Sequence, residues 1–387
     1  MSGANRLPFS GPLYGLFQVL LVAVNIPATP ATLRWPLLLA TIYIAYYLIV
    51  KTSIGDLAAD FGVGSGILTQ LFTQLDFLFV TDPNTLIDHA NPIPGKITEQ
   101  PWPTRAKWTL NLYLNPRGVG WGHEPRNMPP RYPPGTPRWA FARAKLLEAA
   151  LCGGVEFCLY VVNASNPAMT SGTKLSTAPL YWRALGAGCF GTQGLLRMRA
   201  MQCATAAVAV GSGLSSPERW PGLFGSPFDA WSVGRLWGRT WHKILRKPMI
   251  AFATLTTTKA LRMPPKNGPI QSAVWVVALF LFVALIHIGG EYMATKRLML
   301  GGTVKFFMLQ PVAIIFEQTV GYLWTRRSPP PTKQKGHTTV PPLWVRCVGH
   351  IWVVLFYSWT LPFMMDPYAV GGIFIDERFD LRRLMHL

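Results

Sequence analysis

The chain is 387 residues long, half of them hydrophobic and 14% charged, with 15 Trp, 21 Phe and 12 Tyr. That composition excludes a soluble single-core enzyme, because several runs approach the roughly 20 apolar residues that a bilayer-spanning helix requires. The formal charge of +19 does not point to nucleic acid: no zinc spacing, RNA-binding aromatic signature or separate basic domain accompanies it, and the cations lie in loops between apolar segments, where they suit membrane orientation and anionic lipid or ligand.

The first apolar stretch, Leu13–Ile26, has Arg6 before it and small residues after it, like a signal peptide; because a second run, Trp35–Val50, follows within a few residues, a retained helix is expected. A third segment, Gly64–Val80, contains Gln70, Gln74 and Asp76, whose polar groups should face the protein interior. Pro83 stops it. Residues 81–145 then form a proline-rich connection with nine Lys/Arg against four Asp/Glu, expected on the cytosolic side. Within it, Arg117-Gly118-Val119-Gly120-Trp121 places two glycines at an exposed turn, read either as a flexible loop approaching a phosphate or as an ordinary glycine turn.

A fourth span, Leu146–Val162, leads to Asn163-Ala164-Ser165, a short glycosylation acceptor pattern. Leu180–Val210 carries Arg197 and Arg199 and reads as one long helix or two short ones. Residues 213–272 hold nine Lys/Arg against two Asp/Glu. Three further spans follow: Ala273–Tyr292, Phe306–Trp324 with Gln310 and Glu317 on nearly one face, and Val345–Met364. The linker Thr325–Pro342 is basic, of low complexity and expected to be disordered. The expectation is therefore an all-α polytopic membrane protein of seven to nine transmembrane helices: N-terminal helices over 1–80, a basic loop over 81–145 and a core over 146–387. It shows no internal repeat of the kind common in transporters. The cysteines, Cys152, Cys158, Cys189, Cys203 and Cys347, show no CxxC pairing and read as small core residues.

The chemistry centres on two histidines. Ser232–Arg246, SVGRLWGRTWHKILR, reads as an amphipathic boundary helix with Arg235, Arg239, Lys243 and Arg246 on one face and Leu236, Trp237, Ile244 and Leu245 on the other. The basic face suits a ligand with several phosphates, such as coenzyme A, or lipid headgroups. His242 lies at its boundary. His287 lies inside the run AVWVVALFLFVALIHIGGEY, at a depth where an imidazole needs a partner or a cavity, so it is a functional candidate by default, against the alternative of a structural histidine bonded to a neighbouring helix. Glu291, four residues on, is placed to orient the imidazole or to mark the helix end. None of the histidines has a metal-ligand spacing, and there is no GxSxG elbow, P-loop or dinucleotide fingerprint. A transporter in which His287 relays protons is the alternative from another class.

The block Leu236-Trp237-Gly238-Arg239-Thr240-Trp241-His242 with Leu245-Arg246, followed by Leu285-Ile286-His287-Ile288-Gly289, resembles the W-G-R-x-W-H block and the intramembrane histidine of the wax-synthase-like branch of the membrane-bound O-acyltransferase superfamily, in particular its fungal members that acetylate secondary metabolites. Leu78–Pro83, the Arg117–Trp121 turn, Phe306–Gln310 and Glu317 occur in the family's order, and the resemblance covers roughly residues 64–325, strongest over about 213–325. It implies that His287 is the general base and His242 the second polar residue of the site, with Trp237, Arg239, Trp241, Arg246 and Glu291 toward the substrates. The implied reaction moves an acetyl group from acetyl-CoA to a hydroxyl of a terpenoid or meroterpenoid, without metal or resident cofactor, in the endoplasmic reticulum membrane. A long-chain acyl-CoA:fatty alcohol transferase making wax esters is the alternative within the same chemistry.

Overall fold

The structure is a computed structural model and describes residues 6–264, 268–296, 302–327 and 341–372. In chain order the helices are α1 (Gly11–Val24), α2 (Ala31–Lys51), α3 (Leu57–Phe79), α4 (Trp102–Tyr113), α5 (Arg138–Ala164), α6 (Pro167–Thr170), α7 (Leu180–Gly211), α8 (Val233–Arg235), α9 (Arg246–Leu255), α10 (Pro269–Thr295), α11 (Thr303–Arg327) and α12 (Leu343–Val370). The only sheet among the described residues pairs β1 (Leu7–Pro8) with β2 (Thr52–Ser53) in parallel. Among the described residues five helices, α2, α5, α10, α11 and α12, are long and apolar enough to cross a membrane. The protein is all-α, polytopic and integral to the membrane. Most of the expected linker, and the tail after Gly372, lie outside the described residues.

The chain divides into two compact units: residues 1–126 with 243–307, and residues 127–242 with 308–387. In the first, Phe17, Leu20 and Leu21 of α1, Ile44, Ala45, Leu48 and Ile49 of α2, Ile67 of α3 and Met293 of α10 form one buried cluster. Side-chain caps fix the helix starts: Ser10 accepts from the Leu13 N–H and Asp56 from the Ala59 N–H. Arg6 closes the far end of α10. It donates to the carbonyls of Met293 and Ala294 and pairs at 3.3 Å with the buried Asp60, which also accepts from Ser53 Oγ and the Ile54 N–H. Deeper in α3, Asp76 is fully buried and paired with Lys247 Nζ at 2.6 Å, with Thr81 bonded to both. The polar residues of α3 thus face inward, as expected.

In the second unit α5 packs along α7. Leu180–Gly211 is one continuous helix, because the arginines inside it are matched: Arg197 pairs with Glu156, and Arg199 with Glu148 at 2.6 Å. Asn163 is fully buried and donates to Gln193 Oε1 at 3.2 Å, so it is packed against α7 and not presented as a glycosylation acceptor.

Two expectations are corrected. Ser232–Arg246 is not one amphipathic helix: α8 widens into a π-helical turn over Leu236–Thr240, and the backbone turns extended at Trp241 (φ −69°, ψ 156°) before α9 begins at Arg246. The four cations therefore share no face, and Lys243 is buried. The Arg117–Trp121 turn is not exposed either; Arg117, Val119 and Trp121 are all buried.

Candidate active site

His287 stands two turns before the end of α10. Its Nδ1 lies 2.8 Å from the carbonyl oxygen of Val283. A carbonyl can only accept, so Nδ1 carries the hydrogen, and in the neutral ring the lone pair is on Nε2. The ring lies against Phe307 (centroids 4.5 Å) and Phe61 (5.9 Å). The orienting group on Nδ1 is thus the helix's own backbone; Glu291 is buried one turn on. His350 of α12 makes the same bond, to Arg346 O at 2.8 Å, but its Nε2 also faces a carbonyl, that of Pro227 at 3.3 Å. An own-helix bond alone therefore does not mark a base; the aromatic surroundings and the unprotonated Nε2 distinguish His287.

The helix that carries His287 is set by small residues. A Cβ on Gly64 of α3 would meet Gly289 O at 2.7 Å, and one on Gly290 would collide with Phe61 O and Ser65 Oγ. Only glycines allow this approach, and it brings Phe61 onto the imidazole.

His242 closes the π turn in the other unit. A π turn spaces its bonds five residues apart, here Trp241 N–H to Leu236 O at 2.7 Å, and such turns occur often at functional sites. The turn packs its aromatic residues edge-to-face on one another and on Phe224: Trp237 on Trp241 (5.7 Å), Trp241 on Phe224 (5.4 Å) and His242 on Phe224 (6.0 Å). Its end is pinned by Gly225, whose N–H donates to Thr240 O at 2.8 Å and where a Cβ would strike Arg239 O. Thr240 Oγ1 donates to Ser226 O. Its beginning and middle are held from α11 and α12. Glu317 accepts from the N–H groups of Val233 (2.6 Å) and Gly234 (3.0 Å) and from Trp352 Nε1 (2.8 Å); Gln310 Oε1 accepts from Trp237 Nε1 and Tyr357 Oη, both at 3.0 Å. Arg239 and Arg246 are exposed, whereas Arg235 is tied down by Asp229 at 2.9 Å and by stacking on Trp231.

The Arg117–Trp121 segment is a folded turn. The Asn115 side chain bonds both the N–H and the carbonyl of Val119, Glu124 accepts from the Gly120 N–H, and Trp121 packs on Trp108. Gly118 (φ +63°) is required there, since a Cβ would lie 2.5 Å from His123 Nε2. Burial and the nearby Lys247 cation push the His123 imidazole down to about 4, and burial pushes the Arg117 guanidinium down to about 10.

Residues 220–309, which include both His242 and His287, match the membrane bound O-acyl transferase family. Over these residues the chain is similar to that family, and the protein is an acyltransferase. It is 27% identical to the acetyltransferase ple2 of Rhodocybe pseudopiperita over 92% of this chain and 90% of that protein, and 28% identical to the acetyltransferase eriL of Hericium erinaceus over 87% and 85%. It is also 27% identical to the O-mevalon transferase macI of Penicillium terrestre over 95% and 88%.

Proposed function

We propose that the protein transfers an acetyl group from acetyl-CoA to a hydroxyl of a hydrophobic secondary metabolite, a terpenoid or meroterpenoid alcohol, in the endoplasmic reticulum membrane. The observation that carries this reading is the His287 imidazole, with its Nδ1 hydrogen given to Val283 O and its Nε2 lone pair left as a base among aromatic rings. In the reaction the acceptor oxygen attacks the thioester carbonyl while Nε2 takes the hydroxyl proton. The tetrahedral oxyanion needs donors, a role that His242 or the Trp241 indole suits chemically. As the carbon–sulfur bond breaks, the CoA sulfur takes the proton back from the imidazolium, and base and charge are restored. Arg239 and Arg246 suit the CoA phosphates, since both are exposed cations.

The names of the relatives support acetyl as the transferred group, and that of the O-mevalon transferase favours a second reading in which the group is not acetyl. The test is alcohol-dependent CoA release by membranes containing the protein, offered acetyl-CoA or long-chain acyl-CoA with a panel of terpenoid and fatty alcohols. Release with acetyl-CoA and a terpenoid alcohol is expected. Release only with long-chain acyl-CoA and fatty alcohols would replace the reading with wax-ester synthesis, and no release with any pair would remove it.

A further inference from the structure

α11 carries a carboxylate, Glu317, within a stretch long and apolar enough to cross a membrane, where an ionised group without partners is costly. Its oxygens are engaged by the start of α8. Oε1 receives the Val233 N–H and the Trp352 indole, and Oε2 receives the Gly234 N–H, while Ser232 Oγ receives the Arg235 N–H. The first three N–H groups of α8, which have no partner within the helix, are thereby satisfied. Seven residues earlier and on nearly the same face of α11, the fully buried Gln310 receives the Trp237 indole and the Tyr357 hydroxyl on one oxygen. A π turn is strained relative to an α-helix and needs such outside support.

We infer that Glu317 and Gln310 are positioning residues for the Trp237–His242 turn: Glu317 fixes where the turn begins, Gln310 fixes the Trp237 indole, and Trp352 and Tyr357 of α12 lock the two acceptors in place. The inference about position stands on hydrogen bonds alone; its catalytic consequence rests on the acyl-transfer reading.

Hydrogen exchange of the purified full-length protein in detergent, without substrates, tests it. Glu317→Gln turns an NH2 toward groups that donate, and the amides of residues 233–241 are expected to exchange about 10- to 100-fold faster while α5 and α7 keep their rates. Unchanged exchange in 233–241, or equal acceleration in α5 and α7, would overturn the inference. In turnover, Gln310→Met, which keeps length and removes the acceptor, is expected to lower kcat about tenfold with a smaller change in KM for the acyl donor. Gln310→Glu, which keeps an acceptor oxygen, is expected to restore it. Combining Gln310→Met with Trp237→Phe should cost no more than the worse single change; additive losses would break the link between the two residues. If the wild type shows no acyl transfer, the exchange result still decides the positioning claim, and only the reading of the reaction falls.

Discussion

His287 and the Trp237–His242 turn are held in opposite ways. The histidine is set by steric contact: three glycines bring α10 against α3, two aromatic rings flank the imidazole, and its hydrogen bond runs to its own helix. The turn is set by polar contact: a carboxylate and a glycine N–H bond its backbone, an amide oxygen holds its Trp237 indole, and two side-chain donors of α12 hold those two acceptors. The difference follows from what each group needs. The base proposed at His287 must keep one nitrogen lone pair unshared, which apolar packing allows, whereas a π turn lacks the bonds that would hold it unaided.

Disturbing each region should therefore give a different kind of damage. The largest effect is expected at the buried ion pair that anchors α3 to α9: Lys247→Met leaves Asp76 without its cation and should cost about 3–5 kcal/mol of stability, of which Lys247→Met with Asp76→Asn recovers most. Thermal unfolding in detergent measures both. Next, Gly290→Ala pushes α10 off Phe61 and Ser65 and should cost about 1–3 kcal/mol, with activity lost in the protein that remains folded. Trp352→Phe removes one donor to Glu317 and should cost about 1 kcal/mol or a little more, visible as faster exchange at Val233 with α3 and α10 unchanged.

A further effect is one of pH. The folded-state value of His123 lies near 4, below the ordinary 6.5, so the folded protein prefers the neutral ring. Its contribution is complete above pH 6.5 and is lost as pH falls through 4, because the unfolded chain binds the proton first. The unfolding midpoint of the wild type should therefore drop between pH 7 and pH 4.5, and His123→Gln should flatten part of that drop.

The apolar helices were legible because hydropathy is a local property: α1 to α3, α5, α7 and α10 to α12 overlap the apolar runs, and among the described residues five of them are long and apolar enough to cross a membrane. The continuity of α7 was not, since it depends on Glu148 and Glu156 in another helix. His287 was readable as an ionisable group in an apolar run. The Val283 carbonyl that orients it lies one turn before, on the side toward which helical side chains lean, whereas Glu291 lies on the other. The boundary helix misled for a physical reason: the spacing of Arg235, Arg239, Lys243 and Arg246 is helical, but Gly225 and Glu317 impose a wider turn, and neither is near in sequence. Gln310 and Glu317 could be seen to share a face, yet what they hold, 73 and 84 residues away, could not.

In the proposed reaction the Nε2 of His287 takes the acceptor's proton. The most direct test compares CoA release by the wild type, His287→Ala and His350→Ala at equal amounts of membrane-inserted protein. Release by His287→Ala is expected to fall by about 10²- to 10⁴-fold and that by His350→Ala to stay within a few-fold of the wild type. Undiminished release by His287→Ala would contradict that role.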